Sequence, residues 1–244
     1  MTRPRLVVVL GGAVVTIATA SLTALMLHSG GVKPSDSSTA NRPSVMIPIA
    51  PLRAELPGGT LAAVAEMVLR YYDVPKVHPV IAWQKASLGS VGGFLPPISY
   101  QCSIVGVMSH LCSIDCRACD LLPTDVRSMV EVLHRYAAIS HELVGQGTPG
   151  LLLKPRLGGL SSEEILGEIN RERPIVILLK APKAPRFALV VGYRDSNPLS
   201  LVINDPSDGD DARQGPKEET PNLQIVVTRA SIEHSWIGTI RILE

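Results

Sequence analysis

An unbroken apolar run occupies residues 6–27 (LVVVLGGAVVTIATASLTALML), free of charge and preceded by Arg3 and Arg5. As a helix it measures about 33 Å, enough to cross a bilayer core. The preceding arginines keep the N-terminus in the cytoplasm and put everything after His28 outside. The same residues also fit a cleaved signal peptide, with Ala18-Thr19-Ala20 as the cleavage site. A membrane anchor is the leading expectation for residues 1–28, with secretion after cleavage as the alternative. Both place the body in the periplasm or outside the cell. Residues 29–50 then turn to Ser, Gly, Pro, Thr and Asn, the composition of a flexible linker. The folded body is expected to start at about Val45 or Pro51 and run to Glu244.

Within the body the spacing of apolar positions is helical first and strand-like later. Residues 61–72 (LAAVAEMVLRYY) are apolar on nearly every face, which predicts a buried central helix with Thr60 as its N-cap. A short second helix is expected over 80–85. Thr124 precedes a helix that puts Val126, Met129, Val130 and Leu133 on one face. Ser161-x-x-Glu164 reads as a capping box opening a further helix. After Pro174 the pattern changes to short β-rich runs at 175–179, 187–193, 199–204, 223–228 and 238–243, separated by turn formers. Helices followed by a series of adjacent strands make an α+β domain over residues 51–244.

Composition narrows the function classes. The net charge is +1, from 23 Lys+Arg against 22 Asp+Glu, and only 4% of residues are aromatic. A nucleic-acid binder normally carries a basic stripe or a set of stacking aromatics, so no nucleic-acid partner is expected. The hydrophobic fraction of 45% is too high for a disordered chain. The acidic loop 205–211 (DPSDGDD) lacks the EF-hand ligand pattern. The glycine-rich loop 89–97 lacks the Lys-Ser/Thr of a phosphate-binding loop.

All four cysteines fall within eighteen residues: Cys102, Cys112, Cys116 and Cys119. In an exported domain two disulfides stapling an irregular insertion over 100–120 are the first expectation, with three pairings open. The alternatives are a zinc site from the four thiolates, or three with His110, and a Cys116-x-x-Cys119 redox pair. The structural reading leads, so no metal and no cofactor are expected.

Three further segments carry a resemblance: Gly59-Thr60-Leu61-Ala62-Ala63-Val64-Ala65-Glu66-Met67-Val68-Leu69-Arg70-Tyr71-Tyr72; Arg186-Phe187-Ala188-Leu189-Val190-Val191-Gly192-Tyr193; and Val202-Ile203-Asn204-Asp205-Pro206. They resemble, in order, the nucleophile helix, histidine strand and aspartate strand of papain-like cysteine peptidases, and segment 164–176 resembles the helix and strand that precede the family's histidine strand. These include the double-glycine leader peptidases of bacteriocin exporters. The resemblance implies a central N-terminal helix packed on a twisted antiparallel sheet. It puts the nucleophile at Thr60, the histidine at Phe187 and the orienting carboxylate at Asp205, and the oxyanion-hole glutamine near Ala54 or Glu55. Cysteine catalysis needs a thiolate at a helix N-terminus, an imidazole facing it, and a group that orients the ring. Only Asp205 is of the required type.

The expectation is therefore a catalytically inactive, membrane-tethered papain-like domain that binds a peptide or protein in the cleft near Thr60 and Phe187. Nucleophile-free relatives that dock substrates in exporters are the precedent. Two alternatives remain open: an active cysteine peptidase with a displaced nucleophile, Cys102 with His110, or a metal or redox protein built on the cysteine cluster.

Overall fold

The computed structural model describes residues 44–56, 59–86, 97–116, 124–144, 150–207 and 223–243. All of them belong to the unit that runs from Ala40 to Glu244. No helix among the described residues is long and apolar enough to cross a membrane; the apolar run 6–27 lies outside them.

The body is α+β. Seven strands, β1 (Ser44–Met46), β2 (Leu152–Leu157), β3 (Ile175–Leu179), β4 (Arg186–Arg194), β5 (Ser200–Asn204), β6 (Gln224–Thr228) and β7 (Trp236–Leu243), form one antiparallel sheet. Its order is β2-β7-β3-β4-β5-β6, with β1 paired to β4 beyond the end of β3. The helices are α1 (Thr60–Tyr71), α2 (Pro79–Ala86), α3 (Tyr100–Gly106), α4 (His110–Ile114), α5 (Val126–Val144), α6 (Ser162–Ile169) and α7 (Arg229–Ile232).

Both faces of the sheet are covered, and the register shows by what. Gly238, Ile240 and Ile242 point one way, and a Cβ on Gly238 would collide with Val126 of α5. Arg241 points the other way and meets Glu168 of α6 at 3.4 Å. Helix α1 packs against α5 and β4, so α1 and α5 share one face and α6 holds the other. This explains why every residue of β3 and residues 187–193 of β4 are buried: a strand covered on both faces is apolar throughout, not alternating.

Local chemistry accounts for most element boundaries. Ser161 and Glu164 form the full reciprocal capping box. Asp125, not Thr124, caps α5, because its Oδ1 accepts the Ser128 N–H at 2.7 Å. Segment 100–116 holds two short helices, α3 and α4, where an irregular insertion was expected: Ser99 Oγ accepts the Cys102 N–H at 3.0 Å and starts α3. Strand β2 escapes the apolar pattern because it is an edge strand with only Leu153 buried, and Pro155 is tolerated there since no neighbour needs its N–H.

Among the described residues, 44–49 pack with the body, inside the stretch 29–50 expected as a linker. β1 lies against β4 with Met46 opposite Gly192, and Ile47 and Ile49 are core residues. Gly192 is required for this approach, since a Cβ there would stand 2.5 Å from the Val45 carbonyl oxygen.

One polar network lies inside the helical layer. The Tyr136 hydroxyl accepts the Val77 N–H at 3.0 Å and contacts Ser103 Oγ at 3.0 Å. Tyr100 donates to the Val74 carbonyl at 2.7 Å and Ser140 to the Pro75 carbonyl at 2.8 Å. These bonds tie α3 and α5 to the extended stretch after α1. Burial is the main cause that pushes the Tyr100 and Tyr136 hydroxyls above their ordinary pKa, because it disfavours the phenolate.

Candidate functional site

The three positions singled out by the resemblance lie along one seam, where α1 meets the start of β4 and the end of β5. Gly59, not Thr60, is the N-cap of α1, and it makes no side-chain cap bond. A Cβ at Gly59 would lie 2.7 Å from the Leu56 carbonyl oxygen, so the chain enters the helix there only as glycine. Thr60 is thereby moved into the first turn and its side chain turns toward the sheet. Its Oγ1 accepts the Phe187 backbone N–H at 3.1 Å.

The reason lies in the ladder. Pairing of β4 with β5 ends at Leu189 opposite Asn204, so the Phe187 N–H extends past its last strand partner. A buried donor without an acceptor costs about 1–3 kcal/mol, and the Thr60 hydroxyl supplies the acceptor. Thr60 is 7% exposed and Phe187 is fully buried. The seam between helix and strand is closed core packing at these two residues.

Asp205 follows β5 and is also buried. One oxygen, Oδ1, accepts the Ser207 N–H at 3.0 Å and the Ser207 hydroxyl at 2.5 Å, the side-chain-to-backbone turn that Asp favours. The other, Oδ2, lies 3.2 Å from Arg186 Nη2. The carboxylate therefore faces the guanidinium next to Phe187. Among the described residues nothing takes a proton from Thr60: its partner is a backbone donor, Asp205 is held by Arg186 and Ser207, and the Phe187 side chain has no acceptor.

The loop before α1 contains a residue that sequence reasoning missed. The Ala54 N–H donates to the Pro206 carbonyl at 3.2 Å, tying this loop to the turn after Asp205. Gln101 of α3, 1% exposed, accepts the Glu55 N–H at 3.0 Å and donates to the Arg53 carbonyl at 2.8 Å. A side-chain amide is thus present, from α3 and not from positions 54 or 55. Both its ends serve loop backbone. Its one sequence signal is an amide within the otherwise mostly apolar run around Ile104 and Val105.

Cys102 and Cys116 form a disulfide with Cα atoms 5.3 Å apart. Cys112 is also disulfide-bonded; Cys119 lies outside the described residues. Cys112 and Cys116 pack with Ala62, Val105 and Leu56, so the staple covers the first turn of α1. With two sulfurs spent on each other, the four-thiolate zinc set does not exist in this oxidised form. The proposed pair of Cys102 with His110 likewise lacks its thiol. No group of three or more His, Cys, Asp and Glu side chains among the described residues could hold a metal ion. His134 and His141 are exposed on α5.

Two hollows of about 210 and 200 Å³ open away from the seam. One lies between α2 and α5; the other runs along α1 beside Pro48, Ile49 and Leu52. Neither a protein-family model nor a curated protein matches this chain.

Proposed function

We propose that the body is a papain-like domain without peptidase chemistry, tethered outside the cytoplasm by residues 6–27, which binds a peptide or protein ligand along the rim of the seam. The observation that carries this reading is the bond between Thr60 Oγ1 and the Phe187 N–H. The two positions that the family would use for attack and proton transfer are adjacent in space, and there they hold helix to strand. Peptide cleavage needs a nucleophile with a base beside it, and this arrangement supplies a backbone tether instead. Support for the fold assignment comes from the central buried helix, the antiparallel sheet behind it, and Asp205 at the end of the next strand. The rim is formed by Arg186, about one-third exposed along its side chain, the 205–207 turn and the loop before α1.

The test exposes the full chain and its Thr60→Cys/Phe187→His double variant to the same immobilised peptide library. The wild-type protein is expected to bind a subset saturably and to cleave none. The double variant is expected to keep that subset and to gain thiol-dependent cleavage. If no library member binds, the docking reading fails. If the wild-type chain cleaves peptides and a thiol reagent stops it, the protein is an active cysteine peptidase.

A further inference from the structure

On the helical side, independent of the seam, α2 and α5 enclose the hollow of about 210 Å³. Val107, at the end of α3, lies buried beneath it. Ile139 and Leu143 of α5 line one wall. They lie four and eight residues after Arg135, on the same stripe of the helix. Trp83 of α2 lines the other wall. Its indole N–H donates to the Gly106 carbonyl at 2.8 Å, which fixes the ring at the mouth. The Arg135 guanidinium lies over that ring, 5.2 Å from its centroid.

Charge decides what such a hollow accepts. The guanidinium stacks on the Trp83 ring, and Arg135 makes no ion pair among the described residues. Glu142 also borders the hollow. It sits two turns further along α5, about 10 Å down the axis. The charge over the Trp83 ring at the mouth is therefore the arginine. Guanidinium bonded only to an aromatic face keeps its N–H fork free for a planar anion, which it holds bidentately. An apolar cavity of about 150 Å³ takes a benzene molecule, so this one has room for a phenyl ring with a short aliphatic tail.

We propose that the hollow between α2 and α5 is a binding site for a small apolar carboxylate, its hydrocarbon on Ala82, Ile139 and Leu143 and its carboxylate on Arg135. A free acid and the C-terminal apolar residue of a peptide present this same chemistry.

The experiment is calorimetric titration of the full chain, disulfides intact, with 3-phenylpropionate and its neutral amide. Acetyl-Ala-Ala-Phe and its C-terminal amide form a second pair. The acid of at least one pair is expected to bind about tenfold or more tighter than its amide, the gain of one charge-assisted bond. Arg135→Met should bring the acid down to the level of the amide and leave amide binding unchanged. Ile139→Trp should fill the hollow and remove both. Binding by the peptide acid as well as the free acid assigns the site to chain termini; binding by the free acid alone assigns it to small acids. Equal affinity of acid and amide, an unchanged acid affinity in Arg135→Met, or no saturable heat with either acid at millimolar concentration overturns the proposal.

Discussion

Replacing Thr60 by valine removes one oxygen while keeping the branched shape, and so isolates the bond that closes the seam. The helix propensities of Thr and Val are similar, and the γ-methyl packing is kept. What changes is the fully buried Phe187 N–H, now 3.1 Å from Thr60 Oγ1, which would face a methyl group. Stranding a buried donor costs about 1–3 kcal/mol. Thr60→Ser makes the opposite change: it keeps the oxygen and loses one methyl group, for about 0.8 kcal/mol. The expected order of stability is wild type, then Ser, then Val. With a urea m-value of about 2 kcal/mol/M, the Val variant should shift the unfolding midpoint down by about 0.5–1.5 M, with the slope unchanged. Amide hydrogen exchange at Phe187 should accelerate in Val and not in Ser. If Val is as stable as wild type, or Ser is the worse of the two, then Thr60 is not the acceptor that completes the β4 ladder. The tether on which the functional proposal rests would then be wrong.

Other outcomes follow from the same structure. Cys102 and Cys116 stand 14 residues apart, and cross-linking a loop of that size stabilises by about 3 kcal/mol through the unfolded chain. Cys102→Ser/Cys116→Ser should lose about that much in denaturant unfolding, and a loss well below it would mean that the loop is held by packing alone. Gly192→Ala should push β1 off β4, because the added Cβ meets the Val45 carbonyl oxygen at 2.5 Å. The expected cost is about 1–3 kcal/mol, with faster amide exchange confined to residues 44–47; unchanged exchange there would refute the contact. Burial raises the Tyr100 pKa above its ordinary value of 10.0, so folding favours the neutral phenol. That contribution is fully present below about pH 10 and is lost as pH rises further, since the unfolded chain ionises first. Tyr100→Phe should flatten the alkaline limb of the stability curve, and an unchanged limb would show that this tyrosine does not govern it. Ser161→Ala should cost about 1 kcal/mol by opening the capping box of α6, measured by thermal unfolding, and an unchanged midpoint would argue that Glu164 alone holds the turn.

How much could be read in advance depends on how local each feature is. Helix α1 was legible because its residues are buried on nearly all sides, which leaves a long apolar helical signal. Helix α6 was legible because Ser161 and Glu164 satisfy each other within four residues. Strand β3 was legible as an apolar run after Pro174. The strand β2 was not, since an edge position and Pro155 remove both the alternation and the apolar run that mark a strand. β1 fell inside a stretch whose composition reads as linker; only pairing with β4, through Gly192, makes it part of the sheet. Helices α3 and α4 were hidden by their cysteines, whose density pointed to an irregular loop.

The candidate site divides in the same way. Sequence by itself determined the α+β class, the buried central helix, the residue types at positions 60, 187 and 205, and the missing thiol and imidazole there. These depend on identity and short-range spacing, which a chain carries whether or not it is folded. The tertiary structure decided what those residues do instead. Thr60 and Phe187 are 127 residues apart, and they bond only because β5 stops at Asn204 and leaves one N–H of β4 without a strand partner. Asp205 turns to Arg186, Gln101 enters from another helix, and Cys102 selects Cys116 from three pairings, each by proximity that no local pattern encodes. Hydrogen bonds and ion pairs act over a few ångströms, so the partner is chosen by what the fold brings within reach.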